Sequence, residues 1–342
     1  MNIGIICPSE IALRRFMPSL LKCHELHFAG IGVYTKNERF SSAQIDDDTF
    51  YCCLQNEIRK TQLFTERYGG KIYNGYAEIA SSKDIEALYI PLPPALHYKW
   101  AKFALEHGKH VLVEKPSTTS FADSNDLIQI ALVKRLALHE NYMFNFHSQL
   151  DRIEEIIQSG EIGEVRLYRI CFGFPKRDAL DFRYNKALGG GALLDAGGYT
   201  IMYATRLLGG TAKIECAQSN YLKGYEVDIY GSATLVNKEG VTAQIAFGMD
   251  NNYKCELEVW GSKGCLTTGR VLTAPSGFVP TAIIRKGNEE KVIDLPEDDA
   301  FFNSIQHFIS CIKDEGIRKK RYSIINKQAK LVDEFKRLAA WK

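Results

Sequence analysis

Short, mostly continuous apolar runs recur along the first 140 residues: Ile3–Cys7, His27–Tyr34, Ala87–Ile90, His110–Glu114 and Leu136–His139. Runs of strand length with little polar alternation predict parallel strands buried on both faces. Between them lie segments of helical character, Leu54–Tyr68 and His97–His107. The second stops at Gly108, a residue suited to helix C-termini because it tolerates the left-handed backbone. This alternation predicts an α/β fold built on a doubly wound parallel sheet. Ligands of such sheets sit at the carboxyl ends of the strands.

After Asn141 the rhythm changes. A helix is predicted over Leu150–Ser159, then strands over Val165–Phe174, Ile214–Leu222, Ile229–Val236, Val241–Phe247, Cys255–Trp260 and Cys265–Leu272. The NKEG between Val236 and Val241 marks a hairpin. Two helices, Ala300–Asp314 and Ile324–Ala340, close the chain. The expected second domain is α+β, with an open, largely antiparallel sheet and helices on one face. At 342 residues two domains are the expectation: residues 1–140 and 141–342, the last helix being the element able to pack back on the first.

Composition changes this picture little. Apolar content of 45% and charged content of 25% are those of a globular protein. The net charge of +2 comes from mixed signs without a basic block, which argues against nucleic acid as a partner. No apolar run approaches the ~20 residues of a membrane span, and the amino terminus lacks a signal-peptide pattern. Nine scattered cysteines without CxxC suggest thiols in a reducing cytoplasm rather than disulfides or zinc. The eight histidines show no metal-binding spacing.

Three stretches carry candidate chemistry. In GKHVLVEKPSTTS a strand delivers Glu114 and Lys115 to its carboxyl end, and Pro116 holds Lys115 extended. Lys115 is either a cation at the ligand crevice or a solvated loop lysine. In LGGGALLDAGGYTIMYATRLLGG, Asp195 and Tyr199 stand four apart, hence on one face of a helix. Tyr199 is either a proton donor or a buried tyrosine with a satisfied hydroxyl. In CPSEIA, the turn after the first strand, Cys7, Ser9 and Ala12 stand where a dinucleotide fold carries three glycines. Ala12 still permits close packing. Cys7 and Ser9 leave two readings open, a phosphate site using the Ser9 hydroxyl or a degenerate site in a binding or regulatory relative.

Together these pieces resemble the glucose-fructose oxidoreductase / inositol dehydrogenase (Gfo/Idh/MocA) family. In order, the chain has NIGII followed by IA, IPLPPALHYKWAKFALEHGKHVLVEKP, ENYMFNFHSQL with SGEIGEVR, DFRYNKALGGGALLDAGGYTIMYATRLLGG and QAKLVDEFKRLA. The resemblance spans nearly the full length. It implies an amino-terminal Rossmann domain, an open-sheet domain and NAD(P)-dependent hydride transfer on sugars or related polyols. It makes Lys115 the catalytic lysine, Asp195 the acid of the glycine-rich motif, and Tyr199 the tyrosine of a branch with sugar 3-ketoreductases, xylose dehydrogenases and dihydrodiol dehydrogenases. Either Lys115 or Tyr199 would supply the proton, with Lys115 favoured, while Asp195 would bind sugar hydroxyls or fix Lys115.

The expected cofactor contacts are Cys7, Ser9, Glu10 and Ile11 in the first turn, and Leu92 and His97 after the strand Ala87–Ile90. Glu114, Lys115 and Arg183 complete the set, with Thr35, Lys36 and Arg39 after the second strand. A hydroxyl and a cation there, rather than an acid, suit a 2′-phosphate, so NADP(H) is preferred and NAD(H) remains usable. Pro94 replaces an asparagine common in the family, and His97 is read as a residue of the helix start rather than a catalyst. The expected substrate is sugar-like, a nucleotide-linked 3-keto sugar foremost, with an aldose or trans-dihydrodiol as the alternative. Lys176, Arg177 and Arg183 are candidates for a diphosphate contact, and a homo-dimer or tetramer is expected.

Overall fold

Residues 1–39 and 46–340 are described by the computed structural model. They form two compact units, one of residues 1–39, 46–118, 122–141 and 304–323, the other of residues 119–121, 142–303 and 324–340.

The first unit holds six strands: β1 (Asn2–Ile5), β2 (His27–Gly32), β3 (Lys71–Tyr73), β4 (Ala87–Ile90), β5 (His110–Glu114) and β6 (Leu138–Asn141). All pair in parallel, in the order β3-β2-β1-β4-β5-β6. That is the doubly wound order of a dinucleotide fold, reversing direction between β1 and β4. The continuous apolar runs are its centre, since all four residues of β4 are buried. β3, three residues at the sheet edge, is too short to register in a periodicity reading. The helix predicted from Leu54 begins seven residues earlier, at Asp47, because the Asp46 side chain caps it by accepting the Thr49 N–H at 2.8 Å. The helix predicted from His97 begins at Pro94, whose missing N–H costs nothing in a first turn.

The second unit is built on eight strands: β7 (Val165–Gly173), β8 (Lys213–Asn220), β9 (Tyr230–Val236), β10 (Thr242–Gly248), β11 (Lys254–Gly261), β12 (Cys265–Gly269), β13 (Thr281–Lys286) and β14 (Glu289–Asp294). Their order is β14-β13-β12-β11-β7-β10-β9-β8, antiparallel except for β7 with β10. β11 shows the governing pattern, with Cys255, Leu257 and Val259 buried and Lys254, Glu256 and Trp260 exposed. The helix Gly198–Leu208 packs on the inner face against β7 and β10. The β13–β14 hairpin escapes a hydrophobic reading because β14, EEKVID, is charged and exposed along most of its length.

A single division near residue 140 is corrected at the far end of the chain, where residues 304–323 belong to the first unit. There Arg321 donates to the Glu140 carbonyl and Tyr322 to the Leu136 carbonyl. The last helix starts at Glu315 rather than Ile324, its polar first turns concealing it. No described helix is long and apolar enough to cross a membrane.

Candidate active site

The turn after β1 works without glycine. Positive φ at described non-glycine residues is confined to Arg135, Arg270 and Ala340. Cys7 and Ser9 therefore lie in backbone regions open to any residue. The Ser9 hydroxyl accepts the Ala12 N–H at 3.2 Å and its carbonyl the Leu13 N–H at 3.1 Å, starting the following helix. As an acceptor there, the hydroxyl keeps its own proton for donation. Glu10 and Ile11 are exposed at this helix start, where the first N–H groups have no intrahelical partners and suit a phosphate. Cys7 is buried, its thiol donating to the Pro91 carbonyl at 3.5 Å. Burial, then the Glu57 carboxylate, pushes its pKa far up, which makes it an inert packing residue. Ala12 is fully buried, as close helix packing requires.

Past β2 the cations are already paired. Lys36 contacts Asp47, and Arg39 lies 3.3 Å from Glu57 and 4.6 Å from the Tyr34 ring. Glu38, which sequence reasoning passed over, accepts the Thr35 N–H at 2.7 Å, the Tyr76 N–H at 3.0 Å and the Ala77 N–H at 2.8 Å. The acid of this segment thus caps the helix Tyr76–Ser81. Hydroxyls, helix-start N–H groups and cations are the donor chemistry of a dinucleotide phosphate site, so these residues fit NADP(H).

At the ends of β4, β5 and β6 lies a buried polar network. Glu114 accepts from the Tyr89 hydroxyl at 2.7 Å and the Asn141 amide at 2.6 Å. Burial raises its pKa, and these two donors oppose the rise. Lys115 follows, half-buried, with a cis peptide to Pro116. The position expected of His97 needs correction. Its ring is fully buried, with Nδ1 2.7 Å from the Pro116 carbonyl and Nε2 2.6 Å from the Leu92 carbonyl. Both nitrogens face backbone carbonyls, and the neutral ring donates its one N–H to one of them, so the ring is a structural tie rather than a cofactor contact. Burial lowers its pKa to about 4 against the pull of the two carbonyls.

Glu140 and Asn141 were missed by sequence reasoning. Their signal is the polar HEN at the end of an apolar run, at the carboxyl edge of the sheet where ligands bind. Glu140 accepts the Ser117 N–H at 2.7 Å. Nearby, His139, His307 and Cys311 place ligand-type atoms within 4.8 Å of one another. The buried Arg321 beside them opposes a cation there, as its charge lowers the pKa of both histidines after burial.

In the second unit Leu193–Gly197 winds as a wider π-type turn before the helix Gly198–Leu208. Asp195 and Tyr199 therefore do not share one regular α-helix. Asp195 is 2.7 Å from Arg183, which also pairs with Asp181 at 3.1 Å. Burial alone would lower the Arg183 pKa, but the two carboxylates raise it. Arg183 is thus committed to acids of its own unit. Tyr199 is buried in an aromatic cluster, with ring centroids 5.2 Å from Tyr142, 5.3 Å from Phe172 and 5.6 Å from Phe144. Lys176 lies over the Tyr225 ring at 5.2 Å and Arg177 over Phe174 at 5.0 Å.

Comparison with known proteins agrees with this architecture. Residues 26–142 match the oxidoreductase family with an NAD-binding Rossmann fold, and residues 150–267 match the GFO/IDH/MocA C-terminal domain. A dTDP-3,4-didehydro-2,6-dideoxy-alpha-D-glucose 3-reductase of Actinomadura kijaniata is 37% identical over 97% of this chain and 93% of its own. The same activity names a Streptomyces violaceoruber relative, 33% identical over 99% of this chain and 95% of its own. A crystal structure of the 3-ketoreductase KijD10 of Actinomadura kijaniata with NADP and TDP-benzene superposes with a TM-score of 0.89 at 32% identity, covering 99% of this chain and 97% of that one. The chain belongs to the Gfo/Idh/MocA family of oxidoreductases.

Proposed function

We propose that this oxidoreductase uses NADPH to reduce the keto group of a nucleotide-linked deoxy sugar. The observation that carries the reading is the near-full-length similarity to keto-sugar 3-reductases, at 37% identity over 97% of the chain. The nicotinamide, when bound, supplies the hydride. Ser9 and the helix start at Glu10 and Ile11 hold the pyrophosphate, and Thr35, Lys36 and Arg39 hold the 2′-phosphate. Engagement of Glu38 with three backbone N–H groups supports NADP(H) over NAD(H), since its carboxylate is then not offered to a ribose hydroxyl.

Lys115 is the residue that meets the substrate oxygen. Its ammonium interacts more strongly with a developing alkoxide than with a ketone, and that difference lowers the barrier. Lys115 then delivers the proton. Tyr199 orients the substrate through its hydroxyl, and Asp195 acts by fixing Arg183 rather than by binding sugar directly. Glu114, held by Tyr89 and Asn141, supports the lysine's strand end. The reading includes cytoplasmic operation, in keeping with nine cysteines that form no disulfide. It also includes a homo-dimer or tetramer, for which Trp260 and Tyr230, exposed on the eight-stranded sheet, are available contacts.

The test is a panel of keto sugars, nucleotide-linked keto sugars and polyols with both cofactors, followed by absorbance of the reduced nicotinamide. Lys115→Ala should cut turnover by roughly 10²–10⁴-fold while NADPH binding, followed by fluorescence, persists. Equal turnover in the variant and the wild type would remove Lys115 from the mechanism.

A further inference from the structure

One peptide group of the first unit is gripped at both ends by buried side chains. The carbonyl of Pro116 lies 2.7 Å from His97 Nδ1, and the N–H of the next residue, Ser117, donates to Glu140 Oε1 at 2.7 Å. These oxygen and nitrogen atoms belong to the same peptide unit, the one immediately after Lys115–Pro116. His97 is 0% exposed and Glu140 2% exposed, so water does not compete for either contact. The clamp is anchored in turn. His97 Nε2 lies 2.6 Å from the Leu92 carbonyl, just beyond β4, and the neutral ring, with one N–H, donates to one of these two carbonyls and packs against the other. Glu140 belongs to β6, where its own carbonyl accepts from the buried Arg321. Strands on either side of β5 therefore fix the plane that follows Lys115.

We infer that His97 and Glu140 are positioning residues for Lys115, locking the Pro116–Ser117 peptide so that the ammonium is set before substrate arrives. This deepens the functional reading above and rests on Lys115 being its proton donor. A displacement of about 1 Å at a reacting group costs on the order of 10²-fold in rate, so a loosened clamp is read in kcat. The Glu140 carboxylate acts as an acceptor of one N–H. An amide oxygen does the same, whereas an alkyl chain does not.

The experiment compares Glu140→Leu, Glu140→Gln and His97→Gln in the full-length enzyme with NADPH and its keto-sugar substrate. Glu140→Leu should lower kcat by about 10- to 100-fold with NADPH affinity within a few-fold of wild type, and Glu140→Gln should recover most of that loss. His97→Gln, which lacks the rigid span between two carbonyls, should lower kcat in the same manner and serves if Glu140→Leu does not fold. Added to Lys115→Ala, His97→Gln should cause little further loss, because a positioning residue acts through the group it positions. Folded clamp variants with wild-type kcat, or losses that multiply in the Lys115→Ala background, overturn the inference. Full turnover by Lys115→Ala alone would instead overturn the role of Lys115 itself.

Discussion

His97 shows how one side chain changes meaning between sequence and fold. In PLPPALH it is a polar residue near a helix start; in the structure it is a buried ring between two carbonyls. Its pKa falls from 6.5 to about 4 through burial. The unfolded chain therefore takes up the proton first as pH drops. The stability held by the neutral ring is intact above about 6.5 and is lost progressively toward 4. A shift of that size corresponds to roughly 3 kcal/mol. Denaturant titrations of wild type and His97→Gln should show the gap between them shrinking by up to that amount from pH 7 to pH 4. Lys36, paired with Asp47 past β2, offers a second test. Lys36→Asp should move the ratio of kcat/KM values toward NAD(H), and an unchanged ratio would place the 2′-phosphate elsewhere.

Among elements, the glycine-rich turn and helix around Tyr199 are tightly constrained. A Cβ on Gly198 would stand 2.1 Å from the Tyr142 hydroxyl oxygen, so the helix can lie against Tyr142 only with glycine there. Gln328 fixes the same place by donating to the Gly198 carbonyl at 2.8 Å. Gly198→Ala should destabilise the protein by about 1–3 kcal/mol through overpacking, read as a lower midpoint in chemical denaturation. Tyr142→Phe added to it should recover part of the loss, since the closest clashing atom is then gone. Equal stability of Gly198→Ala and wild type would mean that the helix can withdraw from Tyr142 at no cost. The sequence marked this stretch as glycine-rich, but the reason at position 198 is a tyrosine 56 residues earlier. The strands tell the same story in reverse. Continuous apolar β4 and alternating β11 were legible because burial imprints directly on their residues, whereas short β3 and charged β14 carry no such imprint.

For the whole molecule, cofactor binding and stability are linked. NADPH at about 100 times its dissociation constant should stabilise the folded state by ~2.7 kcal/mol, seen as a raised melting temperature, with NADH giving less at equal concentration. No shift with either cofactor would point to the degenerate-loop reading. The chain by itself determined the fold class, the family and the candidacy of Lys115, Asp195 and Tyr199, because periodic burial and local motifs are written in neighbouring residues. It could not show that the turn at Cys7 and Ser9 stays in ordinary backbone conformations, nor that Glu38 caps a helix instead of facing a ribose. Nor could it show that Asp195 holds Arg183 or that residues 304–323 return to the first unit. Those were decided by tertiary structure alone, since each depends on partners remote in sequence or on backbone conformation that residue type does not dictate.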